Sequence, residues 1–137
     1  MSVPGFLSAS LTVAVGGGIG AWLRYAVGVA ISRAIGPAAA TAFPWATLSV
    51  NLAGSFTMGL LAGWLALAGG TGGGEGWRLL LGVGILGGFT TFSAFSLEIV
   101  LLAQRGAIGL AALYATASLV GGIAGLLAGL ALMRGAA

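Results

Sequence analysis

The residues in this chain best placed to do chemistry form one uncharged run, Gly87-Gly88-Phe89-Thr90-Thr91-Phe92-Ser93-Ala94-Phe95. It sits inside an apolar span bounded by Arg78 and Arg105 that is long enough to cross a bilayer. Paired glycines lose backbone entropy in a helix, and paired threonines lose side-chain freedom against the preceding turn. The run therefore predicts a helix that opens at membrane depth, releasing carbonyl and amide groups. Irregular backbone survives there only where protein buries it or where it lines a wet or ion-filled cavity. Phe89, Phe92 and Phe95 recur at every third position beside the break, and Ser93 and Ser96 add hydroxyl donors. Such a phenylalanine stripe ordinarily faces lipid or core. Next to a helix break its rings can instead turn their positive edges on an anion. The run reads as an ion site inside the membrane.

Other polar residues lie within apolar stretches. Arg24 is well inside the first span, where an uncompensated arginine costs about 2.5–3.5 kcal/mol on translocon scales. It either faces a cavity, where its charge would concentrate anions, or snorkels to the nearer interface. Asn51 and Ser55, four apart, share one helix face, with Ser49 and Thr57 off it. The Asn51 amide can bond a neighbouring helix or donate to a partly dehydrated anion. Glu98 follows Phe95 closely; it could couple to protons or guard an aqueous vestibule, or simply reach water from the last turns of its helix. Tyr114 and Ser118 share a face with Gly122, either as a polar track for an ion or as hydroxyls bonding back to their own helix.

Composition limits what these residues can be doing. Of 137 residues, 59% are hydrophobic and 5% charged, where a soluble domain would carry about a quarter charged. The chain cannot cover a water-facing surface and reads as a membrane protein. Histidine, cysteine, aspartate and lysine are absent. Thiolate, Schiff-base and histidine-based catalysis are thereby excluded, and no side-chain cage for a transition metal can be built. An enzyme is not expected. The basic balance comes from five arginines against two glutamates, which fits interfacial anchoring and not nucleic-acid binding. Nor does the N-terminus read as a cleaved signal: no positive charge precedes the first apolar run, and Pro4-Gly5 interrupts it early.

The elements that must position the polar residues are four transmembrane helices in a single domain covering 1–137, at about 7–32, 45–68, 78–104 and 107–133. Gly36-Pro37 and Pro44 are expected to keep 33–44 as a loop, and a connector that is almost all glycine, 69–76, joins the second and third spans. Trp77-Arg78 makes an interfacial pair, and Arg105-Gly106 a tight turn. Arg78 and Arg134 fall on one side, Arg33 and Arg105 on the other, so the positive-inside rule has no bias to act on. Such evenness arises by chance in a small chain or signals insertion in both orientations. Glycines four apart at Gly16/Gly20, Gly59/Gly63, Gly84/Gly88 and Gly121/Gly125/Gly129 favour close helix packing without naming a dimer face.

Three motifs in order, Gly20-Ala21-Trp22-Leu23-Arg24-Tyr25, Thr47-Leu48-Ser49-Val50-Asn51-Leu52-Ala53-Gly54-Ser55-Phe56 and Gly87 through Glu98, resemble the Fluc (CrcB) fluoride channels, and the likeness spans essentially the whole chain. The resemblance implies an all-α fold with the third helix broken mid-membrane, assembled as an antiparallel, dual-topology homodimer with two fluoride pathways in the cell (inner or plasma) membrane. It implies one structural Na⁺ held by the backbone carbonyls of Gly87 and Thr90 from both chains; four neutral oxygens suit a hard cation. It places Phe92, Phe95, Ser93 and Asn51 along the fluoride pathway and makes Tyr114 and Ser118 the start of a polar track. That track continues here as Gly122, where a hydroxyl is expected. Arg24 and Glu98 are left as vestibule or structural charges. The implied function is passive export of fluoride trapped in the cytoplasm after neutral hydrogen fluoride enters and dissociates.

Two rivals are weighed against this. A small multidrug-type proton-coupled cation antiporter also has four short helices and can insert both ways, but needs a carboxylate deep in its first helix, where this chain has Arg24. A non-transporting membrane assembly factor would account for the glycines but not for the ordered Thr and Phe residues at the break.

Overall fold

The computed structural model describes residues 5–67 and 74–135. Helix α1 (Phe6–Ala42) is followed by α2 (Trp45–Leu67), then by a third span, Gly74–Gln104, made of four pieces. These are α3 (Gly74–Trp77), a π-helical segment Arg78–Leu86, α4 (Gly87–Phe89) and α5 (Phe92–Gln104). Helix α6 (Ile108–Gly135) is the last described element. Among the described residues, four spans are thus long and apolar enough to cross a membrane. Their outward faces carry large exposed apolar side chains such as Leu11, Val120, Ile123 and Leu127. Water would make that surface costly, whereas lipid tails match it.

Two expectations about boundaries need correction. Residues 33–44 are not a loop: α1 continues to Ala42, interrupted only at Gly36, whose backbone is non-helical at φ 80° and ψ 160°. Glycine tolerates that left-handed φ, and Pro37 then opens a helical turn, where its missing N–H is no loss. Gly36-Pro37 therefore bends and restarts the helix; the true stop is the extended Phe43 before Pro44. The third span is also wound wider than expected over Arg78–Leu86, and its helix begins at Gly74. The remainder of the glycine connector, with residue 68, lies outside the described residues.

Packing falls into two seams. Helix α2 runs along α6, and α1 runs along the π-helical segment and α4. Both seams depend on missing side chains. A Cβ on Gly59 would collide with the carbonyl of Leu126, and one on Gly20 with the carbonyl of Ile85. Backbones this close gain dispersion contacts that hydrocarbon lipid cannot supply in kind. The small buried core is aromatic: Phe43, Phe95 and Tyr114 gather with Leu102 and Ala111 where α5 meets α6.

Candidate ion pathway

The third span does break where threonines were expected to break it, but the glycines play another part. Gly87 is regular right-handed helix at φ −63° and ψ −38°, and so is the whole of α4. The chain turns extended only at Thr90 (φ −82°, ψ 160°) and Thr91 (φ −151°, ψ 126°). Gly88 instead makes room for α1, since a Cβ there would strike the carbonyl of Gly17.

Side chains from α1, α2 and the break itself handle the groups that the break releases. Asn51 on α2 donates its Nδ2 to the Thr91 carbonyl at 3.0 Å, and its Oδ1 accepts from the Thr91 N–H at 2.8 Å. Thr91 Oγ1 caps α5 by accepting from the Ala94 N–H at 3.3 Å. These two substitutions have a shared consequence. In an unbroken helix the Thr91 N–H would serve the Gly87 carbonyl, and the Ala94 N–H the Thr90 carbonyl. Both amides are diverted, so Gly87 and Thr90 are left with carbonyls that lack helical partners. Arg24 does not snorkel away: its Nη1 lies 3.5 Å from the Thr90 carbonyl, a long charge–dipole contact at the limit of hydrogen bonding.

Beside this break is a cavity of about 260 Å³ lined by Asn51, Gly54, Ser55, Thr90, Thr91 and Phe92, among others. Asn51 and Ser55 therefore do face one space, as their spacing predicted. Ser93 is exposed next to it, its Oγ 3.4 Å from Thr91 Oγ1, while Ser96 is spent on the Phe92 carbonyl at 2.9 Å. The two phenylalanines occupy opposite environments. Phe95 is 7% exposed and Phe92 75% exposed, with ring centroids 5.6 Å apart. Phe95 packs on Tyr114 at 5.2 Å, and Phe43 meets the same tyrosine edge-on at 5.5 Å.

Glu98 departs from the reading of a residue that merely reaches water from its helix end. Its half-buried carboxylate accepts from Thr47 Oγ1 at 2.7 Å and from the Tyr114 hydroxyl at 2.6 Å, tying α5 to both α2 and α6. Glu98 also lines a second cavity of about 170 Å³ with Thr41, Pro44 and Arg105. Thr47 was missed as a site residue. It lies one turn before Asn51, and the polar stripe Thr47, Asn51, Ser55 at helical spacing was the available signal. Phe43 was missed because its position in the core depends on the extended backbone after Ala42.

On α6, Tyr114 is fully buried. Ser118 Oγ is buried with no hydrogen-bond partner among the described residues, so it does not bond back to its own helix. At Gly122, a Cβ would stand 3.4 Å from Ser55 Oγ. The hydroxyl missing from α6 at that level thus faces one supplied by α2.

An α-helical, multi-pass membrane protein with a broken third span and polar groups gathered at the break has the architecture of a membrane channel or carrier. The particular family follows from comparison with known proteins. Residues 11–130 match the family described as CrcB-like protein, Camphor Resistance (CrcB). The chain is 59% identical over 131 residues to the fluoride-specific ion channel FluC of Novosphingobium aromaticivorans, covering 96% of this chain and all of that one. It is 53% identical over 124 residues to the fluoride-specific ion channel FluC 2 of Nitrobacter hamburgensis, covering 90% and 95% of the two chains. It is also 51% identical over 130 residues to the FluC protein of Rhodospirillum centenum, covering 90% and 94%. The chain belongs to the CrcB family of fluoride channels.

Proposed function

We propose that the protein is a fluoride-selective channel that lets cytoplasmic fluoride leave passively down its electrochemical gradient. The observation that carries this reading is the Thr90–Thr91 break, capped by Asn51, in a chain 59% identical over 131 residues to a fluoride-specific channel. Conduction requires no covalent step, so the chain is not an enzyme. The antiporter alternative lacks support: Arg24 stands where that mechanism needs a carboxylate, and its guanidinium points at the break.

The pathway on this reading uses neutral donors. Fluoride holds its water tightly, so each water lost must be replaced by a hydrogen bond or a positive ring edge. Asn51 keeps one amide hydrogen beyond the one given to Thr91, Ser118 keeps its hydroxyl, and Ser55 supplies the donor that Gly122 lacks. Phe95 and Phe92 offer ring edges, with Ser93 nearby. Tyr114 is held by Glu98, which orients it at the start of the track on α6.

The functional unit is an antiparallel homodimer in the inner (plasma) membrane. Its support is the even arginine distribution and the exposure of Phe92 and Gly87 in the single chain. Two copies meeting at the break would present Gly87 and Thr90 carbonyls from each side, four neutral oxygens fit for a Na⁺ ion. The diverted Thr91 and Ala94 amides are what make those carbonyls available. Bound there, the ion would lock the two breaks together electrostatically and leave fluoride on separate routes.

Anion efflux from liposomes containing the purified protein tests the reading directly. Rapid fluoride release without chloride release is expected. Silence for both ions from folded, dimeric protein would reject it, and proton-driven cation exchange would install the antiporter in its place.

A further inference from the structure

The bend at Gly36 opens a groove of about 580 Å³ between α1 and the start of α2, lined by Tyr25, Val29, Ser32, Arg33, Pro37 and Ala46, among others. Its floor is open because Gly28 faces Ala46 with room to spare; a Cβ on Gly28 would come only to 4.0 Å from that of Ala46. At 1.5 Å per residue, α1 runs roughly 40 Å from Phe6 to Arg33, which puts Arg33 at headgroup level beyond a hydrocarbon core about 30 Å thick. Arg24, Arg78 and Arg105 each reach an acceptor, whereas the exposed Arg33 has neither hydrogen bond nor ion pair among the described residues. Ser32 lies beside it, and the rest of the groove toward the bilayer centre is apolar or aromatic, ending at the exposed ring of Tyr25.

A free guanidinium above an apolar slot matches one kind of molecule, a phosphate on a hydrocarbon chain. Guanidinium takes phosphate oxygens two at a time, and a hydroxyl alongside supplies a third donor. We propose that this groove binds one anionic phospholipid, its phosphate on Arg33 and Ser32 and an acyl chain along Val29 and Tyr25. The site lies apart from the ion pathway and does not depend on how that pathway conducts.

Native mass spectrometry of the purified protein, titrated separately with phosphatidylglycerol, phosphatidylcholine and inorganic phosphate, tests this. Phosphatidylglycerol should be retained in preference to phosphatidylcholine and should raise the melting temperature. Arg33→Gln should weaken its retention at least tenfold, with Arg33→Lys between the two because a lysine is a point charge without the fork. Val29→Trp, which keeps Arg33 but fills the slot, should also expel the lipid. Fluoride efflux from each variant checks that it folds. Equal retention of the two lipids, unchanged binding in Arg33→Gln, or an equal stabilisation by inorganic phosphate would each overturn the proposal. Unchanged binding in Val29→Trp would do the same.

Discussion

Two polar clusters sit in the apolar body of this protein, and they treat their polar groups in opposite ways. Around Glu98, both carboxylate oxygens are used, by Thr47 and by Tyr114, and three helices are fastened at one point. Around Thr90–Thr91, Asn51 satisfies the Thr91 amide and carbonyl, and Thr91 Oγ1 takes the Ala94 amide, so the amides that would have served Gly87 and Thr90 are both diverted. A fully satisfied cluster stiffens a core and specifies its packing. A cluster left partly open in low dielectric is costly unless something else arrives to bind it. The difference separates a fastening from a site, although the sequence marks both with the same kind of residue.

Breaking Asn51 should do the most damage. Asn51→Leu leaves the Thr91 amide and carbonyl unpaired at membrane depth, at about 1–3 kcal/mol for each. Fluoride efflux should fall by about a hundredfold and the melting temperature should drop with it. Full activity would mean that the break closes on its own and that Asn51 is only a neighbour.

The phenylalanines come next. Phe92→Ile and Phe95→Ile should each cut fluoride efflux by about tenfold, equivalent to about 1.4 kcal/mol of lost ring-edge contact, with the dimer intact on size-exclusion chromatography. Stability should separate them, since Phe95 is buried against Tyr114 and Phe92 is exposed. A buried change of this kind costs roughly 0.5–3 kcal/mol, whereas Phe92→Ile, outside the buried core of the subunit, should lower the melting temperature less. Undiminished flux through both variants would remove the rings from the pathway.

Glu98→Gln sharpens the comparison from the other side. The amide keeps an acceptor for one of its two donors, so stability should fall by about 1 kcal/mol. Efflux should fall less than in either phenylalanine variant. Complete loss of flux would move Glu98 from fastening to pathway.

Ser118→Ala carries the smallest effect and a telling sign. Because its buried Oγ has no partner, removing it should leave stability unchanged or raise it by less than about 1 kcal/mol. Efflux should nevertheless decline several-fold as measured in the same liposomes. A fall in stability with unchanged flux would show a hydroxyl that serves packing.

Much of this was legible in residues alone because the bilayer imposes simple rules. Four apolar spans, a mid-membrane opening within the run Gly87 to Phe95 and the shared face of Asn51 and Ser55 follow from hydrophobic length, propensity and the 3.6-residue period. Propensity misled at two places, and a third gave no signal. Gly88 stays helical where α1 packs against it, and that close packing outweighs the roughly 1 kcal/mol that glycine costs in a helix; Gly87 is helical too, although exposed. Gly36-Pro37 bends the chain where a stop was expected. The π-helical stretch at Arg78–Leu86 had no local signal at all.

By itself, then, the order of residues determined that the chain is apolar enough to span a membrane four times, that it lacks histidine, cysteine, aspartate and lysine, and that its third helix must open within the run Gly87 to Phe95. Those outcomes depend on local composition and on the cost of burying charge in lipid. Only the tertiary structure decided which amide meets which carbonyl. That Asn51 takes Thr91, that Glu98 is fastened by Thr47 and Tyr114, and that Ser118 is left free depend on contacts between helices far apart in the chain. Hydrogen bonds are short-ranged and directional, so their partners are chosen by the crossing of helices and not by sequence spacing.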